Sequence, residues 1–162
     1  MRIAGIVPES IVDGPGFRLA VFVQGCPHGC EGCHNPETHD FAAGTIIDTD
    51  EIVSMMGNNP LLDGITLSGG EPFCQSEACL ELARAAKDRG LNVWVYTGFT
   101  LREILQRGSN ERLFLNLVDV LVDGPYIQNL RTLDAPWRGS KNQRLIDVRK
   151  TISAAQIVEW KG

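Results

Sequence analysis

The sequence predicts an α/β fold, an open partial (βα) barrel of about five units built on a mostly parallel sheet. Apolar, β-branched segments alternate with helical ones along the chain, a pattern typical of parallel strands covered by helices. With 162 residues, 43% of them hydrophobic, the chain can bury one core, so a single domain over residues 1–162 is expected. A closed eightfold barrel usually needs about 200 residues or more, so this barrel is expected to stay open.

The elements follow from local patterns, taken in chain order. Residues 18–24 alternate and are β-branched, which predicts a strand, and Asp48 or Thr49 is a suitable cap for a short helix ending at Met56. Residues 76–89 carry an apolar stripe at helical spacing that ends at Gly90, and Thr100 is a suitable cap for a helix over 101–106. Four further apolar runs are predicted strands: 64–68, 92–96, 118–122 and 145–148. Residues 152–160 fit either a helix or a strand.

Charge and composition exclude several classes of protein. The net charge of −5 argues against nonspecific binding to nucleic acid or to anionic membranes, and favours a protein or a small molecule as partner. No apolar stretch is long enough to span a bilayer, and the first ten residues do not resemble a signal peptide. Five cysteines, three of them clustered, indicate free thiols rather than a disulfide framework. A cytoplasmic location is therefore expected.

The most informative motif is the cysteine triplet Cys26, Cys30 and Cys33 in the stretch CPHGCEGC. Four thiolates complete an iron–sulfur cubane or a closed zinc site, whereas three leave one position open for an outside ligand. Several glycines and a proline let this loop curl three sulfurs onto one small object. The alternative is a structural zinc site with His28 or His34 as the fourth ligand.

A second motif, SGGEP, follows the predicted strand 64–68 and contains Gly69, Gly70 and Glu71. By itself it is compatible with a simple strand-to-helix turn. The cysteine triplet, SGGEP, the segment Tyr96-Thr97-Gly98 and the pair Asp123-Gly124 all follow predicted strand ends. Because the carboxyl ends of parallel strands meet at one edge of the sheet, these segments are expected to line a single active site.

The triplet followed by GGEP resembles the radical S-adenosylmethionine (SAM) enzymes. Within them the chain is similar, over nearly its whole length, to the activating proteins of anaerobic ribonucleoside-triphosphate reductases, a family of glycyl-radical-enzyme activases. The segments that carry this closer resemblance are DGPGFR, CPHGCEGCHNPETHDF, SGGEPF, WVYTGF, DVLVDGPYI and WRGSKNQRLIDV.

The resemblance implies a radical SAM oxidoreductase with a [4Fe-4S] cluster and SAM as cofactors. Cys26, Cys30 and Cys33 would bind three irons, and the amino and carboxylate groups of SAM would chelate the fourth. Reductive cleavage of SAM would then lead to hydrogen abstraction from a glycine of the reductase, generating a glycyl radical. The implied partners are the catalytic subunit of the reductase and a small electron-transfer protein such as flavodoxin, with no nucleic-acid or membrane partner.

The resemblance also implies residues that contact SAM. Gly69 and Gly70 would let the backbone approach its methionine moiety, and Glu71 would accept from its ammonium group. Gly32 stands where the wider superfamily commonly has an aromatic residue. This leaves the adenine to backbone groups of Gly32, Cys33 and His34.

Other residues have more than one interpretation. Cys79 lies on an apolar helix face and is expected in the core. Cys74 follows GGEP by two residues and fits a position near the cluster, although packing is the favoured interpretation. Asp123 fits a cation or carboxylate site as well as a plain turn, and residues 137–144 fit a docking loop, distant along the chain from the cysteines, as well as a solvated one. Two other functions remain open: activation of a different glycyl-radical enzyme or synthesis of a deazapurine, and a zinc-stabilised interaction module without catalysis.

Overall fold

Seven strands form one sheet in the computed structural model, which describes residues 1–162. In chain order they are β1 (Arg2–Ser10), β2 (Arg18–Val23), β3 (Thr45–Ile46), β4 (Gly64–Gly69), β5 (Asn92–Tyr96), β6 (Val120–Asp123) and β7 (Arg144–Asp147). Their spatial order is β3-β1-β2-β4-β5-β6-β7. The four central strands β2, β4, β5 and β6 are parallel, whereas β1, β3 and β7 pair antiparallel at the two sides. The predicted open α/β fold with a mostly parallel central sheet is confirmed.

Five helices accompany the sheet: α1 (Thr49–Asn58), α2 (Ser76–Asp88), α3 (Leu101–Leu105), α4 (Ser109–Leu115) and α5 (Val148–Ala154). Side-chain caps define where three of them begin. The Asp48 side chain accepts from the backbone N–H of Asp50, and Asp147 caps α5 in the same way. Thr100 and Glu103 form a reciprocal capping box at the start of α3. No helix has the length and apolar character needed to cross a membrane.

The two faces of the sheet differ in what covers them. On one, the helix face, residues such as Val21, Leu67 and Val95 pack against the helices in a core of 25 buried side chains. The opposite face, here called the open face, carries the alternate residues of the same strands, among them Arg18 and Trp94. Because side chains alternate along a strand, each central strand supplies both faces, and both must be buried.

The predicted strands and helices are present, with bounds that differ by a few residues. The ambiguous region 152–160 contains both kinds of structure, since α5 ends at Ala154 and Glu159 forms an isolated antiparallel bridge with Ile146. Three elements were not predicted: β1, β3 and α4. Strand β1 contains Gly5 and Pro8 and is only partly buried, so it lacks the apolar pattern of the central strands.

Candidate functional site

A cavity of about 970 Å³ opens where the parallel strands end. All three clustered cysteines line it, as do Ser68-Gly69-Gly70 after β4, Tyr96-Thr97-Gly98 around the end of β5, and Gly124 after β6. The structure therefore brings the predicted segments to one edge of the sheet. It does so because β2, β4, β5 and β6 run in the same direction.

The cysteine loop begins directly after β2 and is held by backbone hydrogen bonds. Gly25 donates to the carbonyl of Thr38 at 2.8 Å and Cys26 donates to that of His39 at 3.2 Å. Gly25 has φ of +94°, a conformation that favours glycine, and this turns the chain away from the strand. The three cysteines are partly buried and unbridged, so their sulfurs are available as ligands.

A backbone N–H group donates to one of the three sulfurs, since that of Asn35 lies 3.4 Å from Sγ of Cys33. Burial raises the pKa of the Cys26 thiol to about 11, because it disfavours the charged thiolate. In the metal-free chain this sulfur is protonated at neutral pH, and binding of a metal would displace the proton.

The SGGEP turn packs directly on the cysteine loop. Gly70 donates to the carbonyl of Val23 at 2.7 Å, and Glu71 donates its backbone N–H to the carbonyl of Gly25 at 2.8 Å. A Cβ on Gly70 would overlap the Gly25 carbonyl, and one on Gly69 would lie 2.7 Å from the Cα of Phe22. Both glycines line the cavity, but the close approach that requires them to be glycine is to β2 and the cysteine loop.

Glu71 differs from the expected cavity-facing acceptor. Its side chain is fully buried, it does not line the cavity, and its carboxylate accepts from four protein donors. These donors are the backbone N–H groups of Phe73 and Gly98, the hydroxyl of Thr97 and the Nε2 of His28. The carboxylate therefore holds the wall of the cavity together.

The other predicted SAM-contacting residues are distributed around the rim. His34 lines the cavity, with its ring 4.7 Å from that of Tyr126. Gly32 is exposed and lies outside the cavity lining, with φ of +68° and the side chain of Gln128 beside it. Asp123 is buried, forms a two-point ion pair with Arg144, and accepts from the backbone N–H of Leu101. Its carboxylate is thus occupied by the fold.

The two remaining cysteines are both away from the cavity. Cys79 is fully buried on the helix face, as predicted, and burial raises the pKa of its thiol. Cys74 is exposed and lines a separate groove with Met1 and Ile46, so the expectation that it packs in the interior is wrong.

The segment 132–139 also contributes to the cavity wall, since Thr132, Leu133, Trp137 and Arg138 line it. The sequence analysis gave residues 137–144 two interpretations, a docking loop or a solvated loop, far along the chain from the cysteines. The structure brings the first part of that stretch to the cavity, and only its polar, donor-rich composition pointed to a role.

The residues of the cavity fit a polar, thiolate-bound group. Two buried polar atoms in its wall, Nε2 of His39 and Nε of Arg138, have no hydrogen-bond partner, which is unusual unless a ligand supplies one. No three His, Cys, Asp or Glu side chains lie close enough together to hold one metal ion. The thiols of Cys26, Cys30 and Cys33 line one cavity, as a thiolate-bound cluster would require.

The zinc alternative lacks a fourth ligand in this arrangement. His28 directs its Nε2 to the Glu71 carboxylate at 2.7 Å. His34 is exposed and its ring packs beside Tyr126. Neither histidine joins the three thiols.

Comparison with known proteins identifies the family. Residues 12–146 match the profile described as a 4Fe-4S single cluster domain. The chain is 35% identical to the anaerobic ribonucleoside-triphosphate reductase-activating protein of Haemophilus influenzae, over 84% of this chain and 91% of that one. The proteins of the same name from Escherichia coli K12 and Enterobacteria phage T4 are each 36% identical, covering 84% and 86% of this chain and 92% and 90% of theirs.

A partial likeness extends to the solved structure of QueE from Escherichia coli, with a TM-score of 0.47 and 18% identity over 61% of this chain and 52% of that chain. The sequence relatives, by contrast, are matched over most of both chains and have the same name. This chain therefore belongs to the family of anaerobic ribonucleoside-triphosphate reductase-activating proteins, with a 4Fe-4S cluster domain.

Proposed function

We propose that this chain activates an anaerobic ribonucleoside-triphosphate reductase by radical SAM chemistry. The observation that carries the proposal is that the three thiols of Cys26, Cys30 and Cys33 and the SGGEP turn line one cavity at the carboxyl edge of the sheet. The names of the relatives supply the substrate, the reductase. On this proposal the chain is one radical SAM domain over residues 1–162 and an oxidoreductase.

A [4Fe-4S] cluster with SAM supplies, when bound, the reductive cleavage of SAM and the abstraction of a hydrogen atom from a glycine of the reductase, which leaves a glycyl radical. Cys26, Cys30 and Cys33 would hold the cluster. The backbone N–H of Asn35 would hydrogen-bond to the ligand sulfur of Cys33, which is one way in which a protein tunes a cluster.

Several groups in the cavity wall are placed to bind SAM. The backbone of Gly69 and Gly70 would face its methionine moiety, and the backbone of Cys33 and His34 would face the adenine. Gly32, exposed beside them, would shape this loop. Glu71 would support the amino-group site by holding the turn, since its own carboxylate is occupied.

The mouth of the cavity supports a protein as substrate. Val12 and Leu133 line the cavity, yet their side chains are 75% and 87% exposed. Apolar side chains this exposed beside an open cavity are typical of a surface that a macromolecule covers. A folded partner could extend a glycine-bearing loop into the cavity while it covers Val12 and Leu133.

The remaining partners and the location belong to the same proposal. The proposed electron donor is a small electron-transfer protein such as flavodoxin, as the resemblance to glycyl-radical-enzyme activases implies. The net charge of −5 disfavours nucleic acid and anionic membranes, and the cytoplasm is the proposed location.

The test is anaerobic reconstitution with iron and sulfide, followed by SAM and the cognate reductase. We expect about four irons and four sulfides per chain, as the cubane requires, and reductant-dependent cleavage of SAM. With the reductase added, the doublet EPR signal of a glycyl radical should appear. SAM cleavage without reductase activation, but with activation of another glycyl-radical enzyme, would change the substrate and keep the chemistry. Stoichiometric zinc without sulfide would exclude the proposal and favour the interaction module.

A further inference from the structure

We infer that His28 and Glu71 are positioning residues that join the cysteine loop to the SGGEP turn and so hold the segment between Cys26 and Cys30 in place. The inference rests on the proposed cluster at the three cysteines. It assigns Glu71 a role different from the SAM-ammonium contact that the sequence implied. The Glu71 carboxylate binds other protein groups, and through His28 it holds the loop that carries the cluster ligands.

The Glu71 carboxylate is the point at which three rim segments meet. It caps the turn that follows it by accepting from the backbone N–H of Phe73 at 3.0 Å. From the segment after β5 it accepts from the Thr97 hydroxyl and the Gly98 N–H, both at 2.9 Å. From the cysteine loop it accepts from Nε2 of His28 at 2.7 Å. Because the carboxylate accepts at each contact, Nε2 must carry the hydrogen that it donates.

His28 connects two parts of the site. Its ring hydrogen-bonds to Glu71, while its backbone stands two residues after Cys26 and two before Cys30. The imidazole also packs against the ring of Phe99 in a T-shaped contact, with 4.5 Å between the ring centroids. A Cβ on Gly98 would overlap the imidazole, so the glycine at this position leaves the space that the ring fills.

This arrangement leaves the His28 side chain with little freedom. Its ring has a fully buried hydrogen-bond partner on one side and an aromatic contact on another, and its side chain is only 16% exposed. Rotating the ring away would leave the buried carboxylate with one donor fewer, which is costly inside a protein. The backbone of His28 is therefore held, and with it the segment between Cys26 and Cys30.

The consequence concerns the electronic properties of the cluster rather than its presence alone. The reduction potential of an iron–sulfur cluster depends on the hydrogen bonds to its sulfurs, on nearby charge and on its exposure to solvent. If the ring–carboxylate bond is lost, the segment between Cys26 and Cys30 can relax, and the surroundings of both ligand sulfurs change. The reduction potential should then shift.

The test compares four variants of the reconstituted protein without SAM. His28→Leu removes the ring donor, and His28→Gln keeps a side-chain N–H that can reach the same carboxylate. Glu71→Gln removes the charge that accepts these bonds. Glu31→Gln is the matched control, because Glu31 is exposed on the same loop and the substitution makes the same charge change. The readouts are the midpoint potential and the EPR spectrum of the reduced cluster.

We expect a shifted potential and an altered spectrum for His28→Leu and Glu71→Gln, and values near those of the unmodified protein for His28→Gln and Glu31→Gln. An unchanged potential in His28→Leu would overturn the inference, as would an equal shift in His28→Gln. If His28→Leu or Glu71→Gln does not assemble a cluster, Thr97→Val tests the same carboxylate by removing one donor isosterically, and it should also shift the potential. Absence of any cluster in the unmodified protein would instead refute the proposed function.

Discussion

The two faces of the sheet are built from the same strands but by different rules. On the helix face the buried side chains are almost entirely aliphatic or aromatic, and they form one continuous core. On the open face the buried positions include Arg18, Thr66 and Trp94, and the surface there ends in a cavity. The helix face thus carries the continuous apolar core of the protein, while the open face combines buried polar contacts with the site.

Arg18 shows how the open face buries a charge. Its guanidinium donates to the Thr66 hydroxyl at 2.6 Å and to the carbonyls of Ile65 and Pro15 at 2.7 and 3.1 Å. Burial lowers the pKa of this group to about 10, because it disfavours the charged form. Carbonyl and hydroxyl acceptors thus replace the water that the guanidinium loses, and no carboxylate contacts it directly.

The three tryptophans of the chain gather beside Arg18. Trp94, Trp137 and Trp160 meet edge to face with centroid separations of 5.0 to 5.6 Å, and Arg18 lies over the ring of Trp94 at 5.5 Å. Such pairs contribute roughly 0.5–1.5 kcal/mol each beyond the area that they bury. They anchor Trp137, and so the segment 132–139, to the open face.

The largest expected difference between the faces concerns the cysteines. Replacing Cys26, Cys30 or Cys33 by Ala should abolish cluster assembly and SAM cleavage, because each supplies a separate iron ligand. Cys79→Ala on the helix face should keep full iron content and lose on the order of 1 kcal/mol of unfolding free energy. Iron and sulfide analysis together with urea denaturation measures both effects.

The exposed Cys74 provides a control for the loss of a thiol alone, and Cys74→Ala should change neither iron content nor stability. If Cys74→Ala removed iron as the variants of the cysteine loop do, the assignment of the cluster to that loop alone would be wrong.

A second, smaller effect tests the contact between the SGGEP turn and the cysteine loop at Gly70. The Cβ of Gly70→Ala would overlap the Gly25 carbonyl, so the turn and the loop must separate. We expect the free energy of unfolding to fall by about 1–3 kcal/mol, as for overpacked sites, and the iron content to fall as well. Gly5→Ala in β1 is the matched control, because a Cβ there has no atom within 4 Å. Normal iron content in Gly70→Ala with weaker SAM binding would show that Gly70 serves the ligand alone.

The smallest expected effect concerns the mouth of the cavity. Leu133→Asp should weaken binding of the reductase about tenfold, or about 1.4 kcal/mol, because a charge replaces an apolar contact. Folding and uncoupled SAM cleavage should be nearly unchanged, since the side chain is 87% exposed. Leu61→Asp, at an exposed position outside the cavity lining, should leave reductase binding intact. Equal loss of affinity in both variants would mean that overall charge, and not this surface, determines binding.

The sequence alone determined the parallel strands and the edge at which the site lies. Residues 92–96 form a strand with the predicted bounds because a short apolar run leaves little choice. The cysteine loop and SGGEP meet because both follow parallel strands, a relation that depends only on strand direction. The clustered thiols were visible for a similar reason, since their spacing along one loop is a local property.

Only the tertiary structure decided what the polar side chains contact. Glu71 stood in a motif that implied a ligand contact, yet its partners His28 and Thr97 lie 43 and 26 residues away in the chain. The segment 132–139 reaches the cavity because Trp137 packs on Trp94 and Trp160, a contact without any local signal. Periodicity and spacing report on neighbours along the chain, whereas packing brings distant residues together and determines which polar groups remain free for a ligand.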